Sequence, residues 1–177
     1  MPDGRTGIRV VSWNLWWRFG RWQERREAIV SELRRIRPDV CGLQEVWVDG
    51  EEKLTASIAE ELGMHHAHAP SPAPGKWQRR IGDDSVGVGD AVLSRWPIAE
   101  SEVRRLPAGD EPDEGRTVLH ARIDAPHASI PFLVTHLNSA WGQSALRQEQ
   151  VHLPLEWIRQ PSRGPACHSS DKTCRLL

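Results

Sequence analysis

Three strand-like runs in this chain end in side chains that could do chemistry together. Val10-Val11-Ser12-Trp13-Asn14 ends in a carboxamide, and Val40-Cys41-Gly42-Leu43-Gln44-Glu45 ends in a carboxylate. The run from Ile130 to Asn138 ends in His136 and Asn138. Open α/β sheets carry their chemistry at strand ends. An Asn, a Glu and a His gathered there suit an oxygen-ligated metal with an acid/base histidine. Taken singly, Asn14 and Glu45 could cap strand ends at a solvated rim, and a lone His is more often structural.

The elements that would position these residues are legible. Trp22, Ile29, Leu33 and Ile36 share one helical face, and Pro38 disfavours helix at Arg37. Strand, helix and strand to Val46 then form a βαβ unit that delivers Asn14 and Glu45 to neighbouring ends. A second helix is expected over 51–62, with Leu54, Ile58 and Leu62 in register and Gly63 as its stop. Ala69–Asp84 is rich in Pro, Gly and charge and reads as a surface loop. Strands are expected over 86–94, 100–106, 116–124 and 130–137. Pro107–Gly115, with four acidic residues, reads as an exposed hairpin loop. Ser144 could cap a helix toward Gln160, with a kink or break at Pro154. Pro161–Leu177 has no apolar period and reads as a disordered or aberrant tail, so the domain should span residues 1–160.

Composition narrows the classes. A chain of 177 residues suffices for one domain with a sizeable core. A net charge of -1 gives no general pull toward nucleic acid or anionic membrane, although arginines cluster between Arg18 and Arg37. No transmembrane segment or apolar leader is visible, so a cytoplasmic location is expected. Cys41, Cys167 and Cys174 form no disulfide framework. His65, His66 and His68 supply too few ligands for a closed zinc site, and the spacing of Cys167, His168 and Cys174 fits no common zinc pattern. Trp13, Trp16 and Trp17 could stack on a base or lipid, but core packing is the simpler reading.

Four motifs occur in order: Val11-Ser12-Trp13-Asn14, Leu43-Gln44-Glu45-Val46, the run Gly89-Asp90-Ala91-Val92-Leu93-Ser94-Arg95-Trp96-Pro97-Ile98, and Val134-Thr135-His136-Leu137. Together they resemble the endonuclease/exonuclease/phosphatase family, which includes pancreatic-type deoxyribonucleases, apurinic endonucleases, neutral sphingomyelinases and inositol-phosphate phosphatases. The resemblance implies an α/β fold, a deoxyribonuclease-like four-layered α/β sandwich with mixed β-sheets. It implies that Glu45, with Asn14 beside it, would hold catalytic Mg²⁺ or Mn²⁺. His136 would act at the scissile phosphate as an acid or electrostatic stabiliser. Arg116, on its residue type alone a surface arginine, would face the phosphate, and Asn138 is a further substrate-binding candidate. The substrate would be a phosphate ester, with nucleic acid, phospholipid and sugar phosphate all open.

The sequence departs from the family at its end. The family's later Gly-Asp-Phe-Asn strand and final Ser-Asp-His do not occur, and Ser170-Asp171-Lys172 is no substitute. The sandwich is therefore expected to be incomplete, catalysis impaired for want of a base and a water-positioning Asp, and self-association through uncovered sheet favoured. Two rivals are an enzyme completed by a partner chain and a non-catalytic binding module.

Overall fold

The computed structural model describes residues 7–50, 53–109 and 113–159. The expectations for Pro161–Leu177, including Cys167, His168 and Cys174, lie outside the described residues, as does part of the acidic loop.

Strand β1 (Val10–Asn14), helix α1 (Trp22–Ile36) and strand β2 (Val40–Val48) form the expected βαβ unit, with β1 and β2 parallel. Arg37 ends α1 in the left-handed region at φ 50, its N–H donating to Leu33 O at 2.9 Å. Helix α2 (Leu54–Leu62) stops at Gly63, whose φ of 63 is open to glycine without a Cβ penalty.

Two elements differ from the sequence reading. Strand β3 (His65–Pro70) and helix α3 (Gly75–Ile81) lie where a loop was expected from Ala69 onward. Alanine and histidine carry weak strand preference, and β3 sits at a sheet edge, where Pro70 is tolerated. Helix α3 is short and buries only Trp77, so it leaves no apolar period to read.

Strands β4 (Gly87–Ser94), β5 (Ile98–Arg105), β6 (Thr117–Ala125) and β7 (Ala128–Thr135) follow. Helix α4 (Ser144–Arg159) carries Pro154 in its interior without a break in the assigned helix. One sheet has the order β1-β2-β4-β3 and mixes parallel with antiparallel pairs; the other is the antiparallel meander β5-β6-β7.

The layers follow from which faces are apolar. Ile29, Leu33, Leu54 and Ile58 of the first two helices pack with Cys41, Leu43, Trp47 and Leu93 on one face of the first sheet. Its other face sets Val40, Ala67, Ala69 and Val92 against Leu119, Ala121, Ile123 and Val134 of the second sheet. On the far side, Trp157 of α4 stacks near His120 and Arg104. This is an α–β–β–α sandwich with helices outside, in which the first sheet is mixed as expected and the second is wholly antiparallel. Gly42 matters to its spacing: a Cβ there would come within 3.1 Å of Val134 and 3.4 Å of Phe132. Lacking one, β2 lies close to β7. No helix among the described residues is long and apolar enough to cross a membrane.

Candidate active site

Asn14 ends β1 and His136 directly follows β7, but Glu45, expected at a strand end, lies inside β2, which continues to Val48. Beyond β1 the chain still tracks β2, with Leu15 N–H donating to Gln44 O at 2.9 Å and Trp17 N–H to Glu45 O at 3.1 Å. Arg25 of α1 binds the intervening turn, donating to the carbonyls of Leu15, Trp16, Trp17 and Phe19 at 2.7–3.2 Å. The turn buries Trp17, whose Nε1 donates to Gly87 O at 3.0 Å, and leaves Trp16 exposed. Arg25 is one of several arginines in the Arg18–Arg37 cluster that are bound internally. Arg18 pairs with Asp49, Arg26 and Arg34 with Glu61, and Arg35 with Glu32, so no free basic patch arises from them.

Glu45 lies on a β-bulge. Leu43 faces Ala91 and Val46 faces Gly89, so Gln44 and Glu45 together stand opposite the single residue Asp90. Glu45 takes φ 56, a conformation costing a non-glycine residue about 1–2 kcal/mol. Bulges of this kind re-aim side chains. Here the carboxylate is buried, and Asn14 Nδ2 donates to its Oε1 at 3.0 Å. Asn14 Oδ1 in turn accepts Trp16 N–H at 2.8 Å. His136 Nδ1 lies 3.7 Å from the same Glu45 Oε1. The other oxygen, Oε2, is buried with no hydrogen-bond partner among the described residues.

Asn14, Glu45 and His136 are thus brought together, and Arg116 joins them. Arg116 is buried, and it lines one concavity with Glu45, Asp90, Glu114, Trp77 and His136. Its Nε and Nη2 both donate to Glu114 Oε2, and its guanidinium lies 5.4 Å from the Trp77 ring. Asn138 is not part of that lining. Its Oδ1 accepts Ala140 N–H at 2.9 Å, and its own N–H donates to Gln150 Oε1 at 2.8 Å, tying the loop to α4. His65, His66 and His68 hold no metal cluster among the described residues. Burial pushes the Cys41 thiol up to about 12, so it is inert.

Two acidic residues of the site were not anticipated. Glu114 was expected in an exposed loop but is 2% exposed, because Lys76, Arg116 and the N–H and hydroxyl of Ser139 all bind its carboxylate. Asp90 lies in the middle of an otherwise apolar strand, and a buried charge in such a run is itself the signal that could have found it. Burial raises Asp90 to about 7, against the pull of Arg116 and of the backbone N–H groups of Glu45 and His136. Burial lowers His136 to about 4, with Arg116 adding to the effect and Glu114 opposing it, so the imidazole is neutral at pH 7.

These shifts predict acid sensitivity. Burial alone would raise Glu114, but Lys76, Ser139 and Arg116 outweigh it and hold the carboxyl at about 2, below its ordinary 4.5. A depressed carboxylate contributes stability that is present above its unfolded value and lost as pH falls from about 4.5 toward 2. His136 acts in the same direction between 6.5 and about 4, because the unfolded chain takes up that proton first. Urea melts of Glu114→Gln and the parent chain should therefore differ by on the order of 3 kcal/mol at pH 6 and converge near pH 2. A pH-independent difference would show that Glu114 is not held as an anion.

Comparison with known proteins adds the following. The sequence profile described as the Endonuclease/Exonuclease/phosphatase family matches residues 11–167. An inositol phosphosphingolipids phospholipase C of Schizosaccharomyces pombe is 27% identical over 155 residues, covering 78% of this chain and 32% of that protein. The human Nocturnin catalytic domain with bound sulfate superposes with a TM-score of 0.68 at 24% identity, over 86% of this chain and 57% of that one. TDP2 of D. rerio, in complex with a single-strand DNA product, gives 0.65 at 20% identity, over 88% of this chain and 56% of that one. The chain thus spans about a third of the curated relative (32%) and somewhat over half of these two structures (57% and 56%).

Proposed function

The chain belongs to the endonuclease/exonuclease/phosphatase family, and from that premise we propose that the Glu45–His136 concavity is a site for metal-assisted hydrolysis of phosphate esters. The observation that carries this reading is Glu45 Oε2, a buried carboxylate oxygen without a partner among the described residues, beside a histidine and an arginine. Carboxylate and amide oxygens suit Mg²⁺ or Mn²⁺. Glu45 would hold the ion through Oε2, with Asn14 fixing Oε1 and offering the second lone pair of its own Oδ1. When bound, such a cation supplies positive charge against the negative charge that develops on phosphorus-bound oxygens.

The chain's own groups would do the rest. Arg116, clamped by Glu114 through Nε and Nη2, keeps Nη1 for a phosphate oxygen. His136 starts neutral; a bound phosphate anion would favour its protonated form and so make it a donor to that phosphate. Asn138, buried and outside the concavity, would act on substrate only indirectly, through the loop it ties to α4. No group among these is free to act as general base, so the 177-residue chain by itself should turn over slowly. Substrates are phosphate esters. The single-strand DNA product named for one structural relative makes nucleic acid one candidate, and the phospholipase relative makes a phospholipid another.

Chelation tests the reading. With Mn²⁺ present, hydrolysis of bis-nitrophenyl phosphate should be low but detectable at high protein concentration, and excess EDTA should remove it. Robust turnover that survives EDTA would contradict the site.

A second reading has its own support: a partner chain completes the site. Among the described residues, strand β1 pairs only with β2 and β7 only with β6, so each sheet there ends on an edge at a site-bearing strand. Ile8 and Val10 are exposed at one edge, and Val151, Leu155 and Ile158 form an exposed stripe on one face of α4. Such edges and stripes associate. Sedimentation should show concentration-dependent dimers or larger species that Leu155→Glu weakens; a monodisperse monomer at all concentrations would remove this reading.

A further inference from the structure

We propose that Trp16, Phe19 and Trp77, each with an arginine against its ring, form a track that leads single-stranded nucleic acid into the Glu45–His136 concavity. The proposal names a substrate class, and it rests on the site reading above for where the track ends.

The row of rings is continuous. Trp16 lies 6.0 Å from Phe19, Phe19 lies 6.1 Å from Trp77, and Trp77 lies 6.5 Å from His136, centre to centre. Trp77 is part of the concavity wall. Exposure rises outward along the row: Trp77 is buried, Phe19 is half-buried and Trp16 is 55% exposed. Each ring meets a guanidinium, with Arg25 at 5.0 Å from Trp16, Arg80 at 4.3 Å from Phe19 and Arg116 at 5.4 Å from Trp77. Arg25 and Arg116 are also bonded within the protein. Arg80 is exposed and pairs with no carboxylate among the described residues, so its charge is open to a phosphate.

The outermost ring is held in place against local preference. Trp16 and Trp17 take φ 60 and φ 38 in succession, a left-handed conformation that a Cβ disfavours. Arg25 holds that turn through four carbonyls, and Trp16 N–H donates to Asn14 Oδ1 at 2.8 Å. A residue of the site itself therefore fixes the position of the indole. Core packing accounts for Trp17, which is fully buried, but not for Trp16.

The chemistry of the row favours bases over lipid. Aromatic rings interleaved with cations bind single strands by stacking on bases and attracting phosphates. An acyl chain would need aliphatic surface beside the ring. Among the described residues no exposed large aliphatic side chain lies on the turn between β1 and α1 or on α3. A duplex keeps its base faces in its own stack, which leaves single strands as the match for an exposed indole.

The test is binding of a short fluorescein-labelled oligothymidylate, read by anisotropy in EDTA so that no metal takes part and no strand is cut. Trp16→Ala should weaken binding by about tenfold or more. Arg80→Gln should reduce the slope of log affinity against log salt by about 0.7, the share of one phosphate contact. In the ¹⁵N-labelled parent chain the Trp16 indole N–H and Phe19 amide signals should shift on titration, while those of Trp157 on α4 stay. If Trp16→Ala does not fold, Arg80→Gln and the parent-chain shifts decide. Absence of binding, unmoved Trp16 and Phe19 signals, an unchanged slope in Arg80→Gln, or affinity within about twofold of the parent in a folded Trp16→Ala would overturn the proposal. So would binding to phosphatidylcholine–phosphatidylserine vesicles that Trp16→Ala abolishes, if oligothymidylate leaves the Trp16 signal unmoved. Mn²⁺ affinity of the parent is measured separately: oligothymidylate binding through Trp16 without Mn²⁺ binding sustains the track and removes the metal reading.

Discussion

Glu45→Gln is expected to reduce Mn²⁺ or Mg²⁺ affinity by on the order of 100-fold or more, with little change in melting temperature. Residues that only support metal ligands carry about 10–100-fold in affinity, so removal of the carboxylate donor itself should reach the upper end. The substitution is nearly isosteric. A glutamine Oε1 can still accept Asn14 Nδ2, and the bulge can still form opposite Asp90. What it removes is the anionic charge at Oε2, the buried oxygen that has no partner among the described residues. Stability should hold or rise slightly, because an uncompensated buried carboxylate is costly without its cation. Titration calorimetry on the two proteins checks this. Equal affinity would place the ion elsewhere.

The second large effect is on turnover. Phosphodiester hydrolysis needs charge stabilisation, a positioned water, and proton transfer at both the nucleophile and the leaving group. On the proposed reading Glu45, Arg116 and His136, which line one concavity, would provide for the first and for one proton. Acid/base work contributes about 10²- to 10⁴-fold, so the 177-residue chain should hydrolyse plasmid DNA or bis-nitrophenyl phosphate near background. A longer version in which the Gly-Asp-Phe-Asn and Ser-Asp-His motifs follow the α4 segment should exceed it by orders of magnitude. In that longer version His136→Ala should lose about 10²-fold or more, since the histidine and the added base serve different protons. Activity in the longer version unaffected by His136→Ala would mean that the histidine is a bystander.

The parts of this site that could be read in the sequence share one property: they end apolar runs. Asn14, Glu45 and His136 each follow a largely apolar run, which places Asn14 and His136 at strand ends, whereas β2 continues past Glu45 to Val48. The helix faces of α1 and α2 were legible for a similar reason, with Ile29, Leu33, Leu54 and Ile58 at helical spacing. What stayed hidden depends on pairing between distant segments. Glu114 looked solvated among acidic neighbours, and only the approach of Lys76 from α3 and Ser139 from the loop after β7 makes its burial tolerable. Asp90 sits within an apolar run, and the residues with which it lines the site, Glu45 and His136, come from β2 and from just past β7. Arg116 stands between these cases: its type alone suggested the surface and the family resemblance a phosphate, but its burial is decided by Glu114 and Trp77. The bulge at Gln44–Glu45 left no trace in composition, because it is a property of the register with β4.

The most direct test of the central claim is site-resolved. Mn²⁺ titrated into ¹⁵N-labelled protein broadens amide signals within a short radius of the bound ion. Broadening should begin at Asn14, Glu45, Asp90 and His136, spread next to Arg116, and vanish in Glu45→Gln. Broadening centred elsewhere, for instance on His65–His68, or an unchanged pattern in Glu45→Gln, would contradict the assignment of this site.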